Sequence, residues 1–477
     1  MFLLLSLLFA MPSPAAPASL TFHARLHDDL GSLDWGYGEV SGEIVYQMMD
    51  GLFRADGTGK PVPAVAKSFS WNAEKTELKL HLGASRWSDG QDVCAKQFVD
   101  AWDRLRDKKF ASPYAHYAAP LESFEAKGCK ELTVRFRRPA PEGTALLAHY
   151  VFFPVRLDVL EKHPKVFLDG DGLVVNGAYR LREWQRNSKL TLERNPRYEG
   201  RRGKLDRIEY FFIPDDTTAK AMFDRRELDW VKEVPQLLRT PELEKSPEFR
   251  VFPSLIVYYF GLNAKGAGIL ADVGVRRLLA ASLDRAEIPK ILGRECRGTS
   301  SWLVSELLPG RREAEVVIDP KARERLVAAF RKGNSGLKIY TYSKTSHKLL
   351  AEWAQGQWEK HLGVRIPLVV EESRVYWKDV SANPLPIFFG GVTAPFGHPR
   401  AFLQEFLAGA SANWTGWSSP EYDAAVAKED FARAEAVLER EAFVIPLYQR
   451  DTVALVQKKW KGFHINPLGQ VYLADVR

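Results

Sequence analysis

A chain of 477 residues, 45% hydrophobic and 27% charged, is too long for a single core and divides into roughly two to four domains. Its net charge of +7 arises from 67 Lys and Arg against 60 Asp and Glu, and the signs are interleaved, as at Glu183, Arg186, Lys189, Glu193 and Arg194. That is a solvated surface, not the basic stripe or reading module of a nucleic-acid-binding protein. The aromatic share of 12%, with 13 Trp, suits walls around organic ligands as well as ordinary cores.

The chain opens with an apolar run from Phe2 to Met11, followed by small residues ending in Ala16-Pro17-Ala18. This is the pattern of a secretory signal peptide over residues 1–18, cleaved before Ser19 and too short to span a bilayer. It lacks the usual Lys or Arg ahead of the apolar run. No cysteine follows that run, so lipid attachment there is not expected, and no later run has the length of a membrane span. Export to the periplasm is the expectation. Three cysteines, Cys94, Cys129 and Cys296, are too few for a disulfide framework and lack CxxC spacing for zinc. In an oxidising compartment Cys94 and Cys129 are a candidate pair, with Cys296 left over.

In chain order, residues 20–24 read as a first strand and residues 44–52 as a helix ending at Gly51 in MMDGLF. Residues 78–82 alternate as a strand, and Trp87-Ser88-Asp89-Gly90 is a turn whose Asp-Gly pair suits positive φ. An amphipathic helix over 93–106 puts Phe98, Ala101, Trp102 and Leu105 on one face, before a second alternating strand at 132–136. Asp215-Asp216-Thr217-Thr218 reads as a helix N-cap. Arg276 and Arg277 are assigned to the solvated side of a helix whose Val275, Leu278, Leu279 and Ser282 face inward. Strand 337–342, helix 346–361 and strand 366–370 form a βαβ unit with parallel strands.

The stretch 387–403, IFFGGVTAPFGHPRAFL, draws the other elements together. Leu385, Ile387, Phe388 and Phe389 lead a buried strand into Gly390 and Gly391, where a backbone can be approached closely. Pro395, Gly397 and Pro399 then break regular structure, leaving His398 and Arg400 on a loop before a helical run over 401–407. Such a stretch is a ligand-cleft wall or a core strand with a tight exit. The sequence contains no nucleophile elbow, HExxH, Walker loop or Rossmann glycine pattern, and its adjacent carboxylates read as turns and caps, so no enzyme and no cofactor are expected.

Three blocks, MMDGLFRADGTGKPVPAVAKSFSWN, RWSDGQDVCAKQFVDAWDRL and ASPYAHYAAPLE, resemble the extracellular solute-binding proteins of family 5, the oligopeptide and dipeptide receptors of ABC importers. Segments 176–198 and 258–292, Ser418-Ser419-Pro420-Glu421-Tyr422-Asp423 and Ile445-Pro446-Leu447-Tyr448 continue the resemblance in the expected order. It implies an α/β, two-lobed periplasmic binding protein, class II and cluster C-like, with three domains and a hinge between lobes. The implied domains are 19–47 with 176–262 and 450–477, then 48–175, and 263–449 as the second lobe. The implied function is capture of a peptide or peptide-like ligand for an ABC permease of the inner membrane, by a monomer. Ligand contacts fall on Gly390, Gly391, Val392, Thr393 and Ala394 as a strand edge, with Phe389, Phe396 and Trp377 as pocket walls. Tyr114, in ASPYA, is the contact candidate from the other side of the cleft.

The chain departs from the family at one point. Peptide receptors of this family end the matching segment in an aspartate that pairs with the peptide's α-amine, and that position is Pro395 here, with no carboxylate between Pro386 and Gln404. The basic residue some members carry just before the glycine is also missing, Phe389 being nearest. Two alternatives therefore stand beside a peptide held by backbone contacts and aromatic walls. One is a non-peptide ligand such as a metal complex touched by His398; the other is an exported sensor or accessory protein without a permease.

Overall fold

The structure, a computed structural model, describes residues 19–37, 41–201, 203–266, 268–304, 307–308, 318–334, 336–382, 385–410 and 412–477. The expected signal peptide lies outside them. A seven-stranded sheet runs in the order Phe249–Phe252, Thr452–Val456, Trp230–Lys232, Thr21–Leu26, Arg207–Phe212, Lys189–Arg194, Tyr179–Gln185. A four-stranded antiparallel sheet joins Ala66–Trp71, Glu77–Leu82, Glu131–Phe136 and Leu121–Lys127. Leu78, Leu80 and Leu82 point inward and Lys79 and His81 outward, as their alternation predicts. The helix Ala95–Arg106 buries Phe98, Ala101, Trp102 and Leu105, and the turn before it closes with the Gly90 N–H on the Trp87 carbonyl at 2.8 Å and Gly90 at φ +97°.

The second lobe is built on a six-stranded sheet in the order Cys296–Gly298, Val444–Arg450, Ile256–Leu262, Ile387–Thr393, Ile339–Tyr342, Leu368–Glu371. Its last two strands are parallel, joined by the helix Thr345–Leu362, which is the expected βαβ unit. Ile256–Leu262, expected at the end of the first domain, is instead hydrogen-bonded on both edges within this sheet. The chain thus crosses between sheets at residues 253–255 and returns at Asp451. The crossings hold one another: the Ser254 hydroxyl donates to the Arg450 carbonyl at 2.6 Å, and the Ser254 N–H donates to the Asp451 carboxylate at 3.4 Å. Beside them Arg239 and Glu295, side chains each 2% exposed, pair at 2.8 Å from opposite lobes.

Two local expectations are corrected. The first helix is Gly42–Met48 and stops short of Gly51, because its end is used by another segment: the Gly177 N–H donates to the Met48 carbonyl at 2.7 Å, and Asn176 exchanges hydrogen bonds with the Asp50 backbone. Arg276 is buried, not solvated; it donates to the carbonyls of Glu441, Leu270 and Ala271 and lies 3.7 Å from the Phe443 ring centre. Arg277 is exposed. Asp215 caps its helix as expected, accepting from the Thr218 N–H at 2.7 Å.

Cys94 and Cys129 are disulfide-bonded, tying the start of the helix Ala95–Arg106 to the turn between two strands of the four-stranded sheet. Cys296 is free and buried, and burial pushes its thiol up to about 12. Closing a loop of this length removes about 3–4 kcal/mol of unfolded-chain entropy. Cys94→Ser with Cys129→Ser is therefore expected to lower stability by about 2–4 kcal/mol, read as an earlier urea midpoint that reductant reproduces in the unsubstituted protein. Equal midpoints with and without reductant would contradict the bond.

Candidate ligand-binding cleft

The strand Ile387–Thr393 pairs along its whole length with Ile256–Leu262, while on its other edge Ile339–Tyr342 reaches only Ile387 and Phe388. The Ala394 N–H donates to the Leu255 carbonyl at 2.9 Å, which sets the phase of the ladder. Antiparallel strands alternate the direction of their backbone groups, so Gly390, Val392 and Ala394 face the neighbouring strand and Phe389, Gly391 and Thr393 face away. The Phe389 carbonyl accepts from the Tyr376 hydroxyl. Gly391 and Thr393, both exposed, are left with backbone groups on an edge that no described strand covers.

The glycines have a packing reason. Gly390 stands opposite Tyr259 and Gly391 opposite Tyr258, and a Cβ on either would lie 2.7 Å from the facing ring. Tyr258 stacks on Tyr448 with centroids 4.7 Å apart, and Tyr259 packs edge-on to Trp302 at 5.1 Å. The close approach foreseen at these positions is made by tyrosines of the neighbouring strand.

The first lobe carries a ring cluster around Tyr114. Tyr114 stacks on Tyr117 at 6.1 Å, and its hydroxyl accepts from Tyr150 at 3.4 Å. His149 lies 5.1 Å from Tyr117 and 4.4 Å from Tyr150. Burial holds the His149 imidazole down to about 3, so it is neutral at physiological pH. The wall is apolar in its faces and uncharged in its polar tips.

The lobes are in contact. Arg400, at the start of the helix Arg400–Leu403, reaches Glu142 of the first lobe at 3.1 Å, with the two side chains 5% and 3% exposed. Arg138 also pairs with Glu142 at 2.8 Å, and Glu429 with Arg400 at 3.3 Å. Lys344 approaches Glu233 at 3.8 Å, another pair from opposite lobes. A Cβ at Gly397 would come within 3.2 Å of the Gly59 carbonyl oxygen. Buried residues of both lobes, among them Phe22, Trp87, Trp302 and Phe402, form one continuous cluster.

The expected contacts separate into three groups. Gly390 to Ala394 share the strand described, and Trp377 stands beside it, half-buried, with Trp414 at 5.2 Å and Tyr342 at 5.5 Å. Phe389, 1% exposed, is packed among Tyr258, His347 and Phe260, and Phe396 is equally enclosed, so neither ring presents a free face. His398 is at the lobe contact, its ring 5.3 Å from Phe431 and its Nδ1 accepting from the Arg400 N–H at 3.4 Å. Burial pushes its imidazole down. Among the described residues no group of three or more His, Cys, Asp or Glu is placed to hold a metal ion. Tyr117, His149, Tyr150, Glu142 and Glu405 were not singled out from the sequence. Tyr117 had a signal, since it follows Tyr114 by three residues in a 3₁₀ turn, where such positions eclipse; the others did not.

The profile of the bacterial extracellular solute-binding proteins, family 5 middle region, matches residues 60–414. The probable deoxycholate-binding periplasmic protein YgiS of Escherichia coli is 27% identical over 512 residues, covering 97% of this chain and 94% of YgiS. The Haemophilus influenzae OppA complex with the peptide RPPGFSPFR superposes at TM-score 0.84 and 25% identity, covering 96% of this chain and 98% of that one. The Escherichia coli murein tripeptide binding protein MppA gives 0.84 at 22% identity, covering 96% and 98% of the two chains; its unliganded open form gives 0.76 at 23%, covering 96% and 97%. Since the profile spans most of the sequence and the fold agrees over nearly all of it, the chain belongs to the bacterial extracellular solute-binding proteins of family 5.

Proposed function

We propose that this protein is a periplasmic receptor that closes its two lobes on a peptide or peptide-like ligand and delivers it, as a monomer, to an ABC permease of the inner membrane. The carrying observation is the uncovered backbone edge at Gly391 and Thr393, for which the uncharged ring cluster of the first lobe is the proposed opposite wall. A strand edge recognises the amides that every peptide shares, whatever its side chains, while rings offer tolerant apolar contact. Relatives named for peptide binding add support. In this reading the first and third domains join at residues 253–255 and Asp451, export depends on residues 1–18, and the protein performs no chemistry on its ligand.

A second reading, a non-peptide ligand, rests on Pro395, half-buried where peptide receptors of the family place an aspartate, and on the likeness to YgiS. Native mass spectrometry of protein purified without denaturation separates the two. A retained series of peptides is expected; a single non-peptide species would support the second reading. Persistent emptiness, with no thermal shift across a peptide library, would overturn binding of either kind to this cleft and favour an accessory role.

Two substitutions test the geometry. Pro395→Asp is expected to tighten binding of peptides with a free α-amine, measured by titration calorimetry; no gain would mean that the register or the peptide assignment is wrong. Arg400→Ala removes one cross-lobe pair but leaves Glu142 with Arg138, so the closed state should lose about 1–3 kcal/mol. The expected outcome is a larger radius of gyration by small-angle scattering and weaker binding of any retained ligand. An unchanged scattering curve would show that Arg400 does not hold the lobes together.

A further inference from the structure

The outward backbone edge of the strand Ile387–Thr393 is stopped at both ends. Ile339–Tyr342 pairs with it only at Ile387 and Phe388, after which Thr341 and Tyr342 pair with Leu368–Glu371 alone. The next outward group is the Phe389 carbonyl, to which a further ladder partner would donate. The Tyr376 hydroxyl already donates to it. Tyr376 comes from a separate element, the helix Ser373–Ala382, and is fixed there. Its N–H donates to the Glu372 carbonyl at 2.9 Å, its ring is fully buried, and Tyr342 and Trp377 pack on it at 5.3 Å and 5.1 Å. At the other end the Ala394 N–H turns inward to the Leu255 carbonyl. The next outward residue in the alternation is then Pro395, which has no N–H and stands where the chain bends. Between the two stops lie Gly391 and Thr393, both exposed.

We infer that Tyr376 is a specificity-determining residue that limits ligand length. By ending the recognition edge at Gly391, it leaves room for an extended peptide backbone of about three residues, the span that faces two alternate ladder positions. This deepens the proposed function and rests on it for the presence of a backbone ligand at this edge. A hydroxyl suits such a stop. It satisfies a buried carbonyl that an apolar side chain would leave without a donor, and it brings no backbone of its own for a ligand to follow. A longer ligand would have its extra residues ordered with no ladder bonds in return, so they add nothing to affinity. Pro395 closes the opposite end by lacking a donor, as prolines do at sheet edges. Neither stop reads side chains, so tolerance of sequence is kept while length is restricted.

The test is titration calorimetry with an alanine series from dialanine to hexaalanine, and with the same peptides N-methylated at one amide at a time. In the unsubstituted protein affinity is expected to rise to about three residues and then level off. Methylation is expected to cost about tenfold at no more than two positions. Tyr376→Ala removes the ring and hydroxyl that stand over the Phe389 carbonyl; its circular dichroism and thermal midpoint are first compared with those of the unsubstituted protein. It is expected to lengthen the limit by about two residues, the ladder repeat, and to gain one more methylation-sensitive position. An unmoved limit in folded Tyr376→Ala would keep the peptide reading and overturn the role of Tyr376. Affinity rising through hexaalanine in the unsubstituted protein, or more than two sensitive positions there, would overturn the inference whether or not Tyr376→Ala folds. No binding of any peptide would remove the peptide reading and the inference with it.

Discussion

The backbone passes between the two lobes at residues 253–255 and at Asp451, and these crossings are held side by side by hydrogen bonds from Ser254 to Arg450 and Asp451. Sheets of seven and six strands are stiff, because each strand's backbone groups are committed to neighbours. Motion between them must therefore be taken up at a few connecting residues. The buried Arg239–Glu295 pair adds a fixed point beside the crossings, since separating two charges already out of water leaves both unpaired. Arg400 with Glu142 and Gly397 against Gly59 are further contacts between the lobes.

The strand Ile387–Thr393 shows how packing limits what one element can offer a ligand. Its inner edge is spent on Ile256–Leu262, and its glycines are occupied by the rings of Tyr258 and Tyr259. What is left for a ligand is narrow: the backbone of Gly391 and Thr393 beyond the reach of Ile339–Tyr342. The first lobe carries a cluster of rings whose polar groups are held neutral by burial. Backbone dipoles and ring faces give tolerance, whereas selectivity requires a charge placed in the site. Solute-binding proteins of one fold differ in ligand through such single charges far more readily than through their sheets.

Much of this fold was legible in the sequence where burial follows a local period. The alternation at Leu78, Leu80 and Leu82 and the helical face of Phe98, Trp102 and Leu105 are each decided within one element, and both appear as expected. The βαβ unit ending at Leu368–Glu371 followed from strand and helix lengths alone. Errors arose where a distant segment overrode a local signal. The helix Gly42–Met48 ends early because Asn176 and Gly177 return to bond its exit, and Arg276 turns inward because carbonyls of Leu270, Ala271 and Glu441 converge on it.

By itself the sequence determined the class of molecule: ordered strand and helix patterns, a paired-lobe family resemblance along the mature chain, and the absence of a carboxylate from residues 386–404. It could not determine what that absence means. Whether Phe389 lines a pocket or fills a core and whether Arg400 is free or bridges lobes both depend on residues far away in the chain. Periodicity reports that a side chain leaves water, but an electrostatic partner is chosen by distance in space, and that distance exists only after two lobes have closed on each other.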